Sequence, residues 1–166
     1  YDDAGRILAL DVRHDTRCGW AMDLSLPVAD RAMLHADNAY HLPAVRITSH
    51  RWKTNHQSAT AFRGFGGPQG MLGMERIVDH VAHALGADPT AVRRANFYAS
   101  GGDISGQKIQ TTPYGQEVDD FIGHEMLARL EETADYAARR AAVDAWNARG
   151  GVIRKGLGLT PGKFGI

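Results

Sequence analysis

Residues 60–70, TAFRGFGGPQG, set four glycines, at 64, 66, 67 and 70, around Arg63, Phe65 and Pro68. Glycine permits left-handed turns and close approach of a backbone to a neighbour. A helix starting behind such a turn offers N–H donors and the positive end of its dipole. That chemistry suits an anion or an oxygen-rich cofactor, with a guanidinium and an aromatic ring at hand. The same composition also suits a turn that only redirects the chain. Two named motifs are excluded. A dinucleotide fingerprint begun at Gly64 needs glycine at position 69, which is Gln69, and a Walker loop needs a lysine that this stretch lacks.

Other residues with chemical potential read more simply. His80 and His83 lie three apart on one helix face and could share a metal, but no third ligand is evident, so no side-chain metal site is assigned. Cys18 is the single cysteine, which rules out a disulfide or an all-thiolate metal site within the chain. It reads as a small apolar filler, and its solitude fits a reducing, cytoplasmic compartment. Arg31, beside Asp30 and near Asp37, reads on its own as a surface helix residue in a weak ion pair. Phe62 reads as core.

These residues need elements to position them. RILALDV (6–12) alternates as a strand, and TRCGWAMDL (16–24) reads as its partner or return. Residues 28–36 carry a short helical pattern, and VRITSHRW (45–52) is extended. The clearest helix follows the glycine turn, with Met71, Met74, Val78, Val81 and Leu85 forming a stripe. Pro68 suits its first turn and Gly86 its C-terminal cap. Asp88 and Pro89 start a further helix through about Phe97. A polar connection (99–115) leads to an acidic amphipathic helix (about 116–133, with Val118, Phe121, Ile122, Met126 and Leu130 apolar). An alanine-rich helix (about 135–148) and a glycine-rich terminal strand, GGVIRKGLGLTPGKFGI, follow. The expected class is α+β, a mixed sheet with helices mainly on one face. It forms one unit over 1–166, or two lobes (1–98 and 116–166) joined by the connection.

At 166 residues the chain is long enough for a real core. Lysine plus arginine number 19 and aspartate plus glutamate 19, which gives no support for a nucleic-acid surface or a polybasic membrane surface. No apolar run approaches the ~20 residues of a membrane span. A start at Tyr1 and an end in an apparent strand suggest a piece of a larger polypeptide.

The longer strings carry a resemblance. KTNHQSATAFRGFGGPQGMLGMERIVDHVA (53–82) closely resembles the molybdenum-binding region of the xanthine dehydrogenase large subunit, in the molybdenum hydroxylase family. DRAMLHADNAYHLPAVR (30–46), VRRANFY (92–98) and GLTPGKFGI fit the same region in order. The resemblance thus covers essentially the whole chain.

It implies part of a molybdopterin-binding domain in an oxidoreductase that hydroxylates purines, converting hypoxanthine and xanthine to urate. The molybdopterin cofactor carries the hard chemistry, with 2Fe–2S, FAD and NAD elsewhere in the parent. By the resemblance, Arg31 serves binding and catalysis by stabilising negative charge on the purine, and Phe65 packs against its ring. The backbone of Arg63 and Gly64 approaches the molybdenum ligands, and Phe62, Gly66, Gly67 and Gln69 shape the cofactor wall. The resemblance leads us to expect asparagine at position 59, where this chain has Ala59. The family's general-base glutamate, its second purine-binding glutamate and its other sandwiching phenylalanine are expected outside this chain. The piece is therefore expected to be inactive alone and to work with the remaining domains or subunits of an oligomeric parent. Two alternatives stay open: an aldehyde oxidase-type enzyme, disfavoured by Arg31, and a non-catalytic binding or assembly module.

Overall fold

Strand β1 (Leu10–Gly19), helix α1 (Ser25–Leu34) and strand β2 (Val45–Lys53) form a β–α–β unit in which the strands pair in parallel, Leu10 opposite Val45 and Arg17 opposite Trp52. Parallel strands need such a crossover, and here a helix supplies it. This architecture comes from a computed structural model that describes residues 1–100 and 109–164. The middle of the expected polar connection, 101–108, and the last two residues of the expected terminal strand lie outside them.

Helix α2 (Gly67–Leu85) follows the glycine turn, and α3 (Pro89–Ala95) follows α2. A short hairpin of β3 (Gln110–Thr111) and β4 (Glu117–Val118) precedes α4 (Gly123–Thr133) and α5 (Tyr136–Ala148). The α+β class holds, but the described strands form two separate two-stranded sheets, one parallel and one antiparallel, rather than one mixed sheet. No helix among the described residues is long and apolar enough to cross a membrane.

The apolar stripe of α2 builds the core. Met74, Val78, Val81 and Ala82 are buried against Ile7, Tyr40, Val92, Phe97 and Leu127. The punctuation around α2 and α3 works as expected. Gly86 caps α2 in the left-handed region, and Asp88 accepts the Thr90 N–H at 2.7 Å ahead of Pro89.

Three expectations are corrected. Residues 16–19 continue β1 instead of pairing with it, because β2 is long enough to partner the whole run; residues 6–9 precede the strand, and the Ile7 N–H donates to Asn96 Oδ1 at 2.8 Å. The acidic helix begins at Gly123, since Val118 belongs to the hairpin, which turns through Gly115 at φ +85°. The described part of the terminal segment, through Phe164, forms no strand. Its backbone is bound by a side chain, Asn38, instead of a strand ladder.

Helices α1 and α2 meet backbone to backbone. A Cβ on Gly66 would lie 2.0 Å from the Val28 oxygen, and one on Gly70 would lie 2.1 Å from the Ala32 oxygen. Any side chain at either position would force the helices apart.

Candidate functional site

The turn before α2 is sharper than its composition requires. Gly64, Phe65 and Gly66 take φ of +94°, +50° and +95° in succession, so a bulky aromatic residue sits in the left-handed region between two glycines. The Phe65 N–H donates to the Phe62 carbonyl at 2.8 Å and the Gly67 N–H to the Gly64 carbonyl at 3.0 Å, which locks the turn. Backbone strain of this kind persists only where the surroundings over-determine it. Here the abutting α1 backbone does so.

The turn places Phe65 on the wall of a hollow of about 590 Å³ that Arg31 also lines. That is the size of a small-molecule site. Sequence reasoning named these two residues from separate segments, and the fold brings them to one cavity. It missed Tyr114 and Gln116 of the hairpin turn, and Lys163 and Phe164 of the terminal segment, which complete the wall. A lysine–aromatic pair closing a glycine-rich tail was the available signal.

The remaining loop residues lie elsewhere. Phe62 is 81% exposed, which overturns its reading as core. The segment before the turn is held to the end of β1 and the residue after it by main-chain bonds, Ala59 N–H to Cys18 O at 3.0 Å and Trp20 N–H to His56 O at 3.1 Å. Those bonds also fix the backbone around Ala59, whose carbonyl accepts from Ser25 Oγ at 3.3 Å. Arg63 and Gln69 are exposed and do not line the hollow. Gly66 and Gly67 are buried. A Cβ on Gly67 would lie 2.7 Å from Cε2 of Phe164, so the space that this glycine frees is filled by protein.

The terminal wall is held from below. Asn38, fully buried, accepts the Lys163 N–H and donates to the Pro161 carbonyl, each at 3.1 Å. It also donates to Glu75 Oε1 at 2.8 Å. Glu75 further accepts from Tyr40 OH at 2.5 Å and from Arg93 Nε at 2.9 Å, and Arg93 reaches Asp79 at 2.8 Å. Burial and the Glu75 charge push the Tyr40 phenol far above its ordinary value, so it serves as a donor. Lys163 pairs with buried Asp37, and its Nζ lies 5.1 Å from the Tyr114 ring centroid. Burial raises the Asp37 carboxyl above the usual carboxylate range, against the pull of the Lys163 ammonium. Burial and neighbouring Asp37 push the Tyr98 phenol up.

Around the hollow stand a guanidinium, aromatic rings, an amide and an ammonium already matched to a carboxylate. This set suits a flat ring with electronegative atoms on its edge. The carboxylate at its rim, Asp30, is ion-paired with Arg51. Among the described residues, no group of three or more histidine, cysteine or acidic side chains could hold a metal ion.

Comparison with known proteins gives a consistent picture. The molybdopterin cofactor-binding domain family matches residues 1–97. A xanthine dehydrogenase of Drosophila subobscura is 39% identical over the whole chain, which covers 12% of that protein. A nicotinate hydroxylase of Emericella nidulans is 36% identical, again over the whole chain and 12% of that protein. Among solved structures, quinoline 2-oxidoreductase from Pseudomonas putida 86 superposes with TM-score 0.73 at 28% identity, over 90% of this chain and 19% of that one. The aldehyde oxidoreductase of Desulfovibrio desulfuricans gives 0.70 at 26% identity, over 84% and 14%.

Proposed function

We propose, from the premise that this chain belongs to the molybdopterin cofactor-binding domain family, that it forms part of the substrate- and cofactor-facing wall of a xanthine dehydrogenase-like hydroxylase acting on purines. The observation that carries the reading is the placement of Arg31 and Phe65 on one hollow. The Arg31 guanidinium donates to an electronegative purine oxygen and stabilises negative charge as it builds on the ring. Phe65 packs against the ring face and limits its orientation.

The residues beside the turn suit molybdopterin by their donor chemistry. Arg63 and Gln69 are exposed, one a guanidinium for anionic oxygens and the other an amide for a heteroaromatic edge. Held there, the cofactor would supply the redox chemistry of carbon hydroxylation. Gly66 and Gly67 act indirectly, by letting α1 and Phe164 close on the turn. The chain spans 12% of the curated relatives it matches. We therefore assign turnover, and the iron–sulfur, flavin and NAD chemistry, to a full-length parent.

In that parent, Arg31→Met should lower kcat/KM for xanthine by about 10²-fold, the usual cost of removing one donor to developing charge. Oxidation of a neutral aldehyde should change by less than about threefold. Equal losses for both would overturn the charge-stabilising role and favour an aldehyde-oxidising enzyme. A parent purified without near-stoichiometric molybdenum and pterin would favour a binding module.

A further inference from the structure

We infer that Phe164 is a positioning residue for Arg31, its ring confining the guanidinium to the orientation in which it meets a ligand's electronegative edge. The inference rests on the reading of Arg31 as the purine-binding cation.

Three independent features converge on this ring. Arg31 Cζ lies 4.6 Å from the Phe164 centroid, within the range where a guanidinium is held by an aromatic face. Gly67 has no side chain where a Cβ would come within 2.7 Å of that ring, so the turn clears the place it occupies. The segment bearing the ring is fastened on both sides of Gly162 by the Asn38 side chain, and Lys163 is tied to Asp37. The His35 ring, whose Nδ1 lies 2.9 Å from the Arg31 main-chain carbonyl, stands 5.4 Å from Phe164. Phe164 thus meets Arg31 of α1 and His35, the residue that caps that helix four positions on. A long cation confined before a ligand arrives loses less freedom on binding.

The test uses the full-length parent prepared free of cofactor, with xanthine affinity read by titration calorimetry. Phe164→Leu should weaken xanthine by about 3- to 30-fold, the range of a partly desolvated cation–aromatic contact. Phe164→Tyr keeps the aromatic face and should stay within about twofold. The double variant Arg31→Met/Phe164→Leu should bind no more weakly than Arg31→Met alone, because the ring acts only through the cation. Phe164 is 52% exposed, so folding does not hinge on it. A silent Phe164→Leu, or losses that multiply in the double variant, would overturn the inference and leave the reading of Arg31 intact. An Arg31→Met variant that binds xanthine normally would sink both.

Discussion

Residues 1–98 and 109–164 are held by different forces. In the first stretch, Tyr40, Met74, Val78, Ala82 and Val92 are essentially inaccessible to water, and Arg93 is buried with two acidic partners. In the second, α5 has no buried residue and α4 buries only Leu127. Polar fasteners hold α5 instead: Thr90 Oγ1 donates to Tyr136 OH at 2.8 Å, and Arg140 reaches Asp88 at 3.6 Å. The candidate hollow lies on the seam. It takes Arg31 and Phe65 from the tightly packed part, and Tyr114, Lys163 and Phe164 from the loosely packed one. The cation thus comes from the part with the apolar core, and the wall facing it from a segment fastened to that core by Asn38 and Asp37.

Two arginines put that contrast to its strongest test. Arg93 and Arg140 each join helices through acidic partners, but the Arg93 side chain is 3% exposed and that of Arg140 is 26% exposed. Arg93→Ala leaves Glu75 buried without its counter-charge and should cost about 3–5 kcal/mol by urea denaturation. Arg140→Ala should cost about 1 kcal/mol or less, since water replaces its partners. Similar costs for the two would erase the distinction between the halves.

Two glycines sharpen it at a smaller scale. Gly66 and Gly115 are both left-handed, at φ +95° and +85°. A Cβ on Gly115 meets nothing within 4 Å, whereas one on Gly66 strikes the Val28 oxygen. Gly115→Ala should therefore cost only the conformational penalty, about 1–2 kcal/mol. Gly66→Ala should add roughly 1–3 kcal/mol as α1 is pushed off α2. Thermal melts of the two variants check the difference; equal shifts would mean that the helices part without cost.

The same division explains what could be read from the sequence. Helix α2 was legible because its stripe, Pro68 and Gly86 all report local rules, and α3 because Asp88 and Pro89 do. The pairing of Arg31 with Phe65 became legible through resemblance; periodicity alone left Arg31 as a surface ion pair. What stayed hidden depends on contacts distant in sequence. Ile7 is fixed by Asn96, the terminal segment by Asn38, and the length of β1 by β2. No local pattern announces such partners. The hairpin was a local miss: PYG at 113–115 is a turn signal, and the amphipathic pattern of the following helix was extended across it.

The smallest expected effect concerns protons in the first stretch. His14 on β1 and His41 beside Tyr40 both lie below their ordinary value of 6.5, because burial disfavours the charged ring. In the unfolded chain these rings take up protons first as the pH drops. Their contribution to stability is therefore present above about pH 6.5 and is lost as the pH falls through the depressed folded value. The double variant His14→Asn/His41→Gln should show a shallower fall in stability with acidification, measured by urea midpoints between neutral and mildly acidic pH. His41 also meets the Tyr98 ring edge-on at 5.6 Å, so its replacement should lower stability at every pH. That uniform offset is distinguishable from the slope. An unchanged slope with a lowered baseline would show that burial in the packed half excludes water from apolar side chains without reaching its histidines.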